Sequence, residues 1–290
     1  MEKIISNDNE VMVPVISIGM PVYNGEKTLR AALDSILGQT FSNFELIISD
    51  NASSDGTEEI CREYIVSDSR IRYIRQAQNI GAPKNFRFVL DAARCDYFMW
   101  ATADDVKSPN FLECNYSFLE NNAEYVASTS PVRFEGADFN AISMGDASLT
   151  GDRPDRIIDF FNTWHANGRF CSLMKTNVLK TSPYVHADFF GSDWAAMLDV
   201  IAFGKTNRHS QGYVVLGRDG FSNSGNIFDY YRKSWIHWIL PFFELNKAVL
   251  SLCSDFPLRC RFIVLRRLAK LNLQAIRASA YIKINKLRGR

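Results

Sequence analysis

The sequence lacks any uninterrupted apolar run of the ~18 residues that a membrane-spanning helix requires. Its nearest approach, Trp235 to Cys253, is broken by His237, Pro241, Glu244, Asn246 and Lys247, which argues against a processive enzyme embedded in a bilayer. The first ten residues, MEKIISNDNE, hold no apolar stretch of the kind a secretory leader carries. No pair among the six cysteines (Cys61, Cys95, Cys114, Cys171, Cys253, Cys260) has CxxC spacing, and the expectation is buried, reduced thiols in a cytoplasmic protein. The G-x-G-x-x-G turn of dinucleotide-dependent oxidoreductases is missing after the first strand signal, where Pro21-Val-Tyr-Asn-Gly25 stands instead. An overall excess of one charge is missing too. With 33 Lys and Arg against 32 Asp and Glu, the balance gives no reason to expect a nucleic-acid partner.

What is present suits a well-packed protein. Hydrophobic residues make up 47% of the 290 and aromatics 13%, enough for a sizeable core in one large α/β domain or two joined subdomains. Strand and helix signals alternate through the first hundred residues. Val15 to Met20, Phe44 to Ser49, Ile71 to Arg75 and Tyr97 to Ala101 read as strands. Glu26 to Leu37, a segment from Asp55 to about Val66, and Lys84 to Ala93 read as helices between them, with Asp55 and Glu58 at capping-box spacing. This alternation predicts a mostly parallel sheet with helices on both faces. Further on, a helix over 110–121, a strand near 125–130 and a helix over 193–203 are expected, and then helices from 228 onward, interrupted near Pro241 and Pro257.

In such sheets ligands bind beyond the carboxyl ends of the strands. Four polar clusters fall there: Pro21-Val-Tyr-Asn24, Asp50-Asn51, Asn79-Ile-Gly81 and Thr102-Ala-Asp-Asp105. The adjacent carboxylates of Asp104 and Asp105 repel one another. A divalent cation, Mn²⁺ or Mg²⁺, held by this pair and by substrate phosphates would relieve that repulsion. The same pair, just ahead of Ser108-Pro109, also reads as a helix start.

Taken in order, Ile16-Ser-Ile-Gly-Met-Pro-Val-Tyr-Asn24, Gln39-Thr-Phe41, Glu45 through Thr57, Asn79-Ile-Gly81 and the Asp104-Asp105 pair resemble the family 2 glycosyltransferases of the GT-A fold, over residues 14–115. The resemblance implies an α/β, Rossmann-like fold with a mostly parallel central sheet flanked by helices. It also implies a nucleotide-diphosphate-sugar donor, UDP- or dTDP-linked, and inversion at the anomeric carbon. By the same resemblance Pro21, Tyr23 and Glu26 would shape the base pocket and Asp50 would accept a hydrogen bond from the base. Asn79, Gly81 and Lys84 would lie near the nucleotide. Thr102, Ala103 and Asp104 stand where the family often has Asp-x-Asp, with Asp104 as metal ligand and the Thr102 hydroxyl near the ribose. A non-catalytic nucleotide-sugar-binding protein derived from such an enzyme is the rival reading, which the retained Asp50, Asp104 and Asp193 oppose.

In the second half, Gly168 to Lys175 resembles the family's acceptor-lining segment, and Gly191-Ser-Asp-Trp194 the place of its catalytic base. Asp193 suits that role, beside an aromatic available to a sugar, with Asp188 and Asp199 as alternatives; it also reads as a first-turn helix residue. Asp219 reads as a turn residue and Ser222 to Asn226 as a loop over the donor. The expected division is a nucleotide-sugar subdomain over 1–115, an acceptor subdomain over 116–225 and a basic helical extension over 226–290. Residues 256–290 hold ten basic residues and no acidic one, leaving 23 basic and 32 acidic elsewhere. Set on a helix, Phe262, Leu265, Ala269, Ile276, Ala280 and Leu287 share one face, and Arg259, Arg266, Lys270, Arg277 and Arg288 another. That face suits an anionic membrane, on the inner side of a cell envelope, or equally the catalytic domain or a second copy of the chain. A glycan or lipid-linked glycan acceptor, in surface polysaccharide synthesis, fits these features.

Overall fold

The first strand, Ile16–Val22 (β1), is buried along its whole length, as a strand covered on both faces must be. In this computed structural model, which describes residues 13–162, 165–218 and 227–287, β1 sits inside a seven-stranded sheet. The others are Phe44–Asp50 (β2), Ile71–Arg75 (β3), Tyr97–Trp100 (β4), Tyr125–Thr129 (β6), Leu173–Lys175 (β8) and Lys205–Arg208 (β9), in the order β3-β2-β1-β4-β8-β6-β9. Strands β1 to β4 are mutually parallel, and so are β6 and β9; β8 runs antiparallel between β4 and β6. Residues on either side of position 115 therefore share one sheet. A second sheet joins Val106–Lys107 (β5), Val214–Leu216 (β10) and Val132–Phe134 (β7).

The strand period of two divides the core. From β2, Leu46 and Ile48 face one cluster and Ile47 the other; from β4, Met99 faces the first and Phe98 and Trp100 the second. Helices Leu29–Leu37 (α1), Thr57–Ser67 (α2) and Phe111–Asn121 (α4) cover the first face. Ala82–Asp91 (α3), Arg153–Phe160 (α6), Ser192–Phe203 (α8), Phe243–Leu252 (α11) and Leu258–Leu287 (α12) contribute to the second. The shorter helices are Ala141–Met144 (α5), Thr176–Thr181 (α7), Ile227–Tyr231 (α9) and Ile236–Ile239 (α10). The breaks at Pro241 and Pro257 fall where expected.

Two local expectations are corrected. Helix α1 starts at Leu29, not Glu26, because Gly25 to Thr28 form a turn whose carbonyl at Gly25 takes the first amides. The Asp55–Glu58 capping box does not form. Asp55 accepts from the Thr57 amide and hydroxyl, but Glu58 pairs with Arg62 and Arg75. Asp219, the loop 222–226, and Arg288 lie outside the described residues.

Gly19, mid-strand in β1, is required by close packing. A Cβ there would lie 2.6 Å from Val89 Cγ2 and 2.8 Å from Phe98 Cζ. Gly19→Ala should lower unfolding free energy by about 1 to 3 kcal/mol, the usual cost of overpacking, as read by urea denaturation; an unchanged midpoint would contradict this packing.

Candidate active site

The loops at the carboxyl ends of β1 and β2 are stitched together by side chains that bond to backbone. The Asn24 amide donates to Ser53 Oγ at 2.9 Å, the Gly25 amide to Thr57 Oγ1 at 2.8 Å, and the Glu26 amide to Asp55 Oδ2 at 3.1 Å. In return Glu26 Oε2 accepts from the Gly56 amide at 3.1 Å. The loop after β3 is tied in the same way. Asn51 Nδ2 donates to Asn79 Oδ1, which also accepts from the Gly81 amide, and Asn51 Oδ1 accepts from the Ile80 amide. Gly81 has φ of 85°, in the region only glycine enters freely. Glu26 and Asn79, expected as nucleotide contacts, thus hold the loops in shape. Pro21 is buried in β1, Tyr23 is exposed at its end, and Lys84 is exposed on the first turns of α3.

Asp50 ends β2 fully buried. Its carboxylate accepts from the Ser53 amide at 2.8 Å, from Tyr73 Oη at 2.9 Å and from Arg75 Nη1 at 3.1 Å. A buried carboxylate needs such partners, and burial beside it pushes the Tyr73 phenol well up.

Beyond β4, Thr102, Ala103 and Asp104 are partly open to solvent, and Ala103 packs close to Gly25. The adjacent carboxylates have different surroundings. Asp105 is buried; its Oδ1 accepts from the Gly217 amide at 3.2 Å and its Oδ2 lies 4.0 Å from Cys171 Sγ. Burial raises the Asp105 pKa, and the neighbouring Lys107 ammonium opposes that rise. Lys107 Nζ is itself buried without a hydrogen-bond partner among the described residues. Burial, with Asp105 alongside, pushes the Cys171 thiol up to about 12. Asp104 is the more open carboxylate. Gly217 crosses directly against it, so that a Cβ at Gly217 would collide with Asp104 Oδ2 and stand 2.5 Å from Asp104 Cβ.

Asp193, in the first turn of α8, is partly exposed and accepts from Asn167 Nδ2 at 2.8 Å. Burial raises its pKa, and the Asn167 hydrogen bond works against that rise. Asn167 has φ of 52° and donates its amide to His165 Nδ1 at 3.0 Å. His165 Nε2 in turn meets the Phe160 carbonyl at 3.1 Å, and the ring stacks on Trp194 at 4.4 Å. Burial, then the nearby Arg169 charge, lowers the His165 pKa to about 4, so the neutral imidazole accepts from Asn167. Trp194 is therefore core, packed between His165 and Phe242, and is not the sugar-stacking aromatic expected from sequence. Of the alternatives for the base, Asp199 is tied to Ser182 Oγ at 2.6 Å and Asp188 to the Tyr231 phenol.

The two halves of the site meet through one 3₁₀ turn, Gly168–Cys171. Asn167 at its start touches Asp193, Cys171 at its end faces Asp105, and between them Phe170 stacks on Trp100 at 4.4 Å with the rings 5° from parallel. Sequence reasoning missed Asn167, Gly217 and Lys107. The glycine directly after β10 was the available signal for Gly217.

The arrangement joins loops already bonded to one another, an open carboxylate beyond β4 and a second carboxylate across a short turn. Residues 17–182 match the family model for Glycosyl transferase family 2, and the chain belongs to that family. Its relatives include EpsE of Bacillus subtilis (strain 168), 37% identical over 113 residues, 39% of this chain and 41% of that one. The chain thus aligns with less than half the length of EpsE. Among solved structures it is similar to Staphylococcus aureus TarS 1–349 in complex with UDP-GlcNAc, with a TM-score of 0.57 and 14% identity over 95% of this chain and 92% of that one. It is also similar to the mannosyltransferase PcManGT from Pyrobaculum calidifontis in complex with GDP-Man and Mn2+, with a TM-score of 0.58 and 14% identity over 94% and 74%. The fold is that of the GT-A glycosyltransferases.

The contact between Gly217 and Asp104 yields a specific expectation. Gly217→Ala should displace Asp104 and reduce glycosyl transfer at least ~10-fold, as the loss of one precisely placed group does, with little change in melting temperature. Transfer at the parental rate would show that Asp104 tolerates a methyl group there.

Proposed function

We propose that this chain transfers one sugar from a nucleotide-diphosphate sugar to a hydroxyl of a glycan or glycolipid, with inversion, in surface polysaccharide synthesis. The observation that carries the reading is the turn Gly168–Cys171, whose ends touch Asp193 and the neighbour of Asp104. TarS and PcManGT, solved with UDP-GlcNAc and with GDP-Man and Mn2+, support a donor of this class.

Asp104 suits a cation of the Mg²⁺ or Mn²⁺ type. Such ions are held by one or two carboxylates together with substrate phosphates, and no group of three or more candidate ligands occurs among the described residues. Asp105, buried under the Gly217 amide, supports Asp104 from behind rather than joining it. A cation bound there would stabilise the charge that develops on the leaving diphosphate.

Asp193 takes the proton of the acceptor hydroxyl. The freed oxygen attacks the anomeric carbon, the bond to the diphosphate breaks, and the nucleoside diphosphate leaves with that electron pair. Burial suits Asp193 to the task, because a carboxylate with a raised pKa is a better base. Asn167 holds it in line. The pocket loops, already bonded to one another, bind the nucleotide with little ordering cost.

Two expectations follow from the assignment of roles. Asp104→Ala should lower transfer at least ~10²-fold with an intact fold, while Asp193→Asn should keep donor affinity, measured by titration calorimetry, and lose transfer by at least ~10²-fold. Loss of donor affinity in Asp193→Asn would assign that residue to the nucleotide pocket instead. A further expectation concerns pH. A base acts deprotonated, so kcat/KM falls as pH drops through its pKa. Asn167→Ala removes a bond that favours the charged form, and should therefore move the acid limb to higher pH. An acid limb that stays in place while the rate falls would reduce Asn167 to a packing role.

A further inference from the structure

Helix α12 has two apolar faces, and among the described residues only one is used in the fold. Val264, Leu268, Leu271 and Ala275 are buried and belong to the large core cluster. The face expected from sequence is another one, and it points outward. Leu258 is 80% exposed and Phe262 61%. Leu265, Leu273 and Ile284 continue the stripe, with Ile276 half-buried and Ala269 and Ala280 filling the gaps. Leu287, also assigned to it, has a side chain outside the described residues.

The stripe is bordered by cations. Arg259, Arg266, Lys270 and Arg277 are exposed and fall about 60° to 120° around the helix from its centre, at 3.6 residues per turn. No acidic residue occurs anywhere in 256–290. At the far end of α12, α10 adds Trp235, 73% exposed, together with Trp238 and Ile239. Trp238 is gripped between Arg232 at 3.8 Å and Lys283 at 4.0 Å, and still presents half its surface to solvent. Exposed indoles beside cations are the composition of a protein surface lying at a bilayer interface.

We propose that the outer face of α12, with the tryptophans of α10, docks on an anionic lipid bilayer. Charge decides between this occupant and a second copy of the chain. An antiparallel pair of such helices, face to face, would lay one basic row against the other, and a parallel pair would set each row beside the edge that carries Arg261; neither arrangement offers a carboxylate of the segment to answer the row, whereas anionic headgroups complement it along its whole length. Spacing agrees. The stripe advances by fours and threes at about 3.7 residues per repeat, longer than the 3.5 of a left-handed coiled coil, so it stays nearly straight and meets a flat surface. No helix among the described residues is long and apolar enough to cross a membrane, so the contact is one of lying on the surface.

Flotation of the full chain with vesicles of phosphatidylcholine, alone and with increasing phosphatidylglycerol, tests this. Binding should rise with the anionic fraction and be released by salt. Phe262→Ser with Leu265→Ser, and separately Arg266→Glu with Arg277→Glu, should each cut the bound fraction at least ~10-fold, with unchanged melting curves because all four side chains are exposed. A full chain that stays with the protein fraction at low salt overturns the proposal. So does equal binding to neutral vesicles, and so does a dimer, seen by sedimentation velocity, that the Phe262/Leu265 variant dissolves while vesicles remain unbound. None of these readouts depends on glycosyl transfer.

Discussion

The flat stack of Phe170 on Trp100 fixes the geometry of the whole site. Trp100 is the last residue of β4, buried, with its indole N–H bonded to the Phe86 carbonyl. Whatever is attached to Phe170 is thereby attached to the strand that carries Thr102 to Asp105. Four residues of turn then span from Cys171, against Asp105, back to Asn167, against Asp193. A sheet that binds nucleotides at its strand ends has no inherent place for a second substrate. In the proposed reaction this turn supplies that place, and it ties the separation of Asp105 and Asp193 to the core rather than to a loose surface loop.

Four carboxylates surround that geometry, and their partners sort them. Asp50 is closed off by three donors. Asp105 is buried under a backbone amide and opposed by a lone lysine. Asp193 accepts from the Asn167 side chain and from backbone amides at the start of α8, and keeps some exposure. Asp104 is open, with a glycine leaning on it. The first two are buried, and their partners offset a cost that would otherwise be several kcal/mol. The last two keep some exposure, and they are the two that the proposed reaction uses.

Much of this was legible in the sequence. Strand–helix alternation gave the parallel half of the sheet and put four polar loops on one edge, as β1, β2 and β4 show. The family resemblance over 14–115 agrees with the match over 17–182. What could not be read is of two kinds. Bonds between loops some 28 to 32 residues apart, such as Gly25 to Thr57 and Asn51 to Asn79, leave no periodic trace, so the part that the Glu26 and Asn79 side chains play in holding the loops was not legible. The position of β8, antiparallel between β4 and β6, depends on tertiary pairing and not on local pattern. The apolar stripe of α12 was found by spacing alone. That it faces out while a second stripe faces in required the packed structure, since both satisfy the same periodicity.

Helix α9 joins features that are far apart in sequence. Tyr231 bonds to Asp188 and feels the charge of Asp193, and the next residue, Arg232, donates to Ser279 Oγ on α12 at 2.8 Å and covers Trp238. One peptide unit therefore separates the neighbourhood of Asp193 from the outer helix. If the outer helix docks as proposed, the orientation of the molecule on a surface and the approach of an acceptor to Asp193 would share one mechanical reference, and an acceptor tethered at that surface would meet Asp193 at a fixed height, as a tool meets work held on a bench.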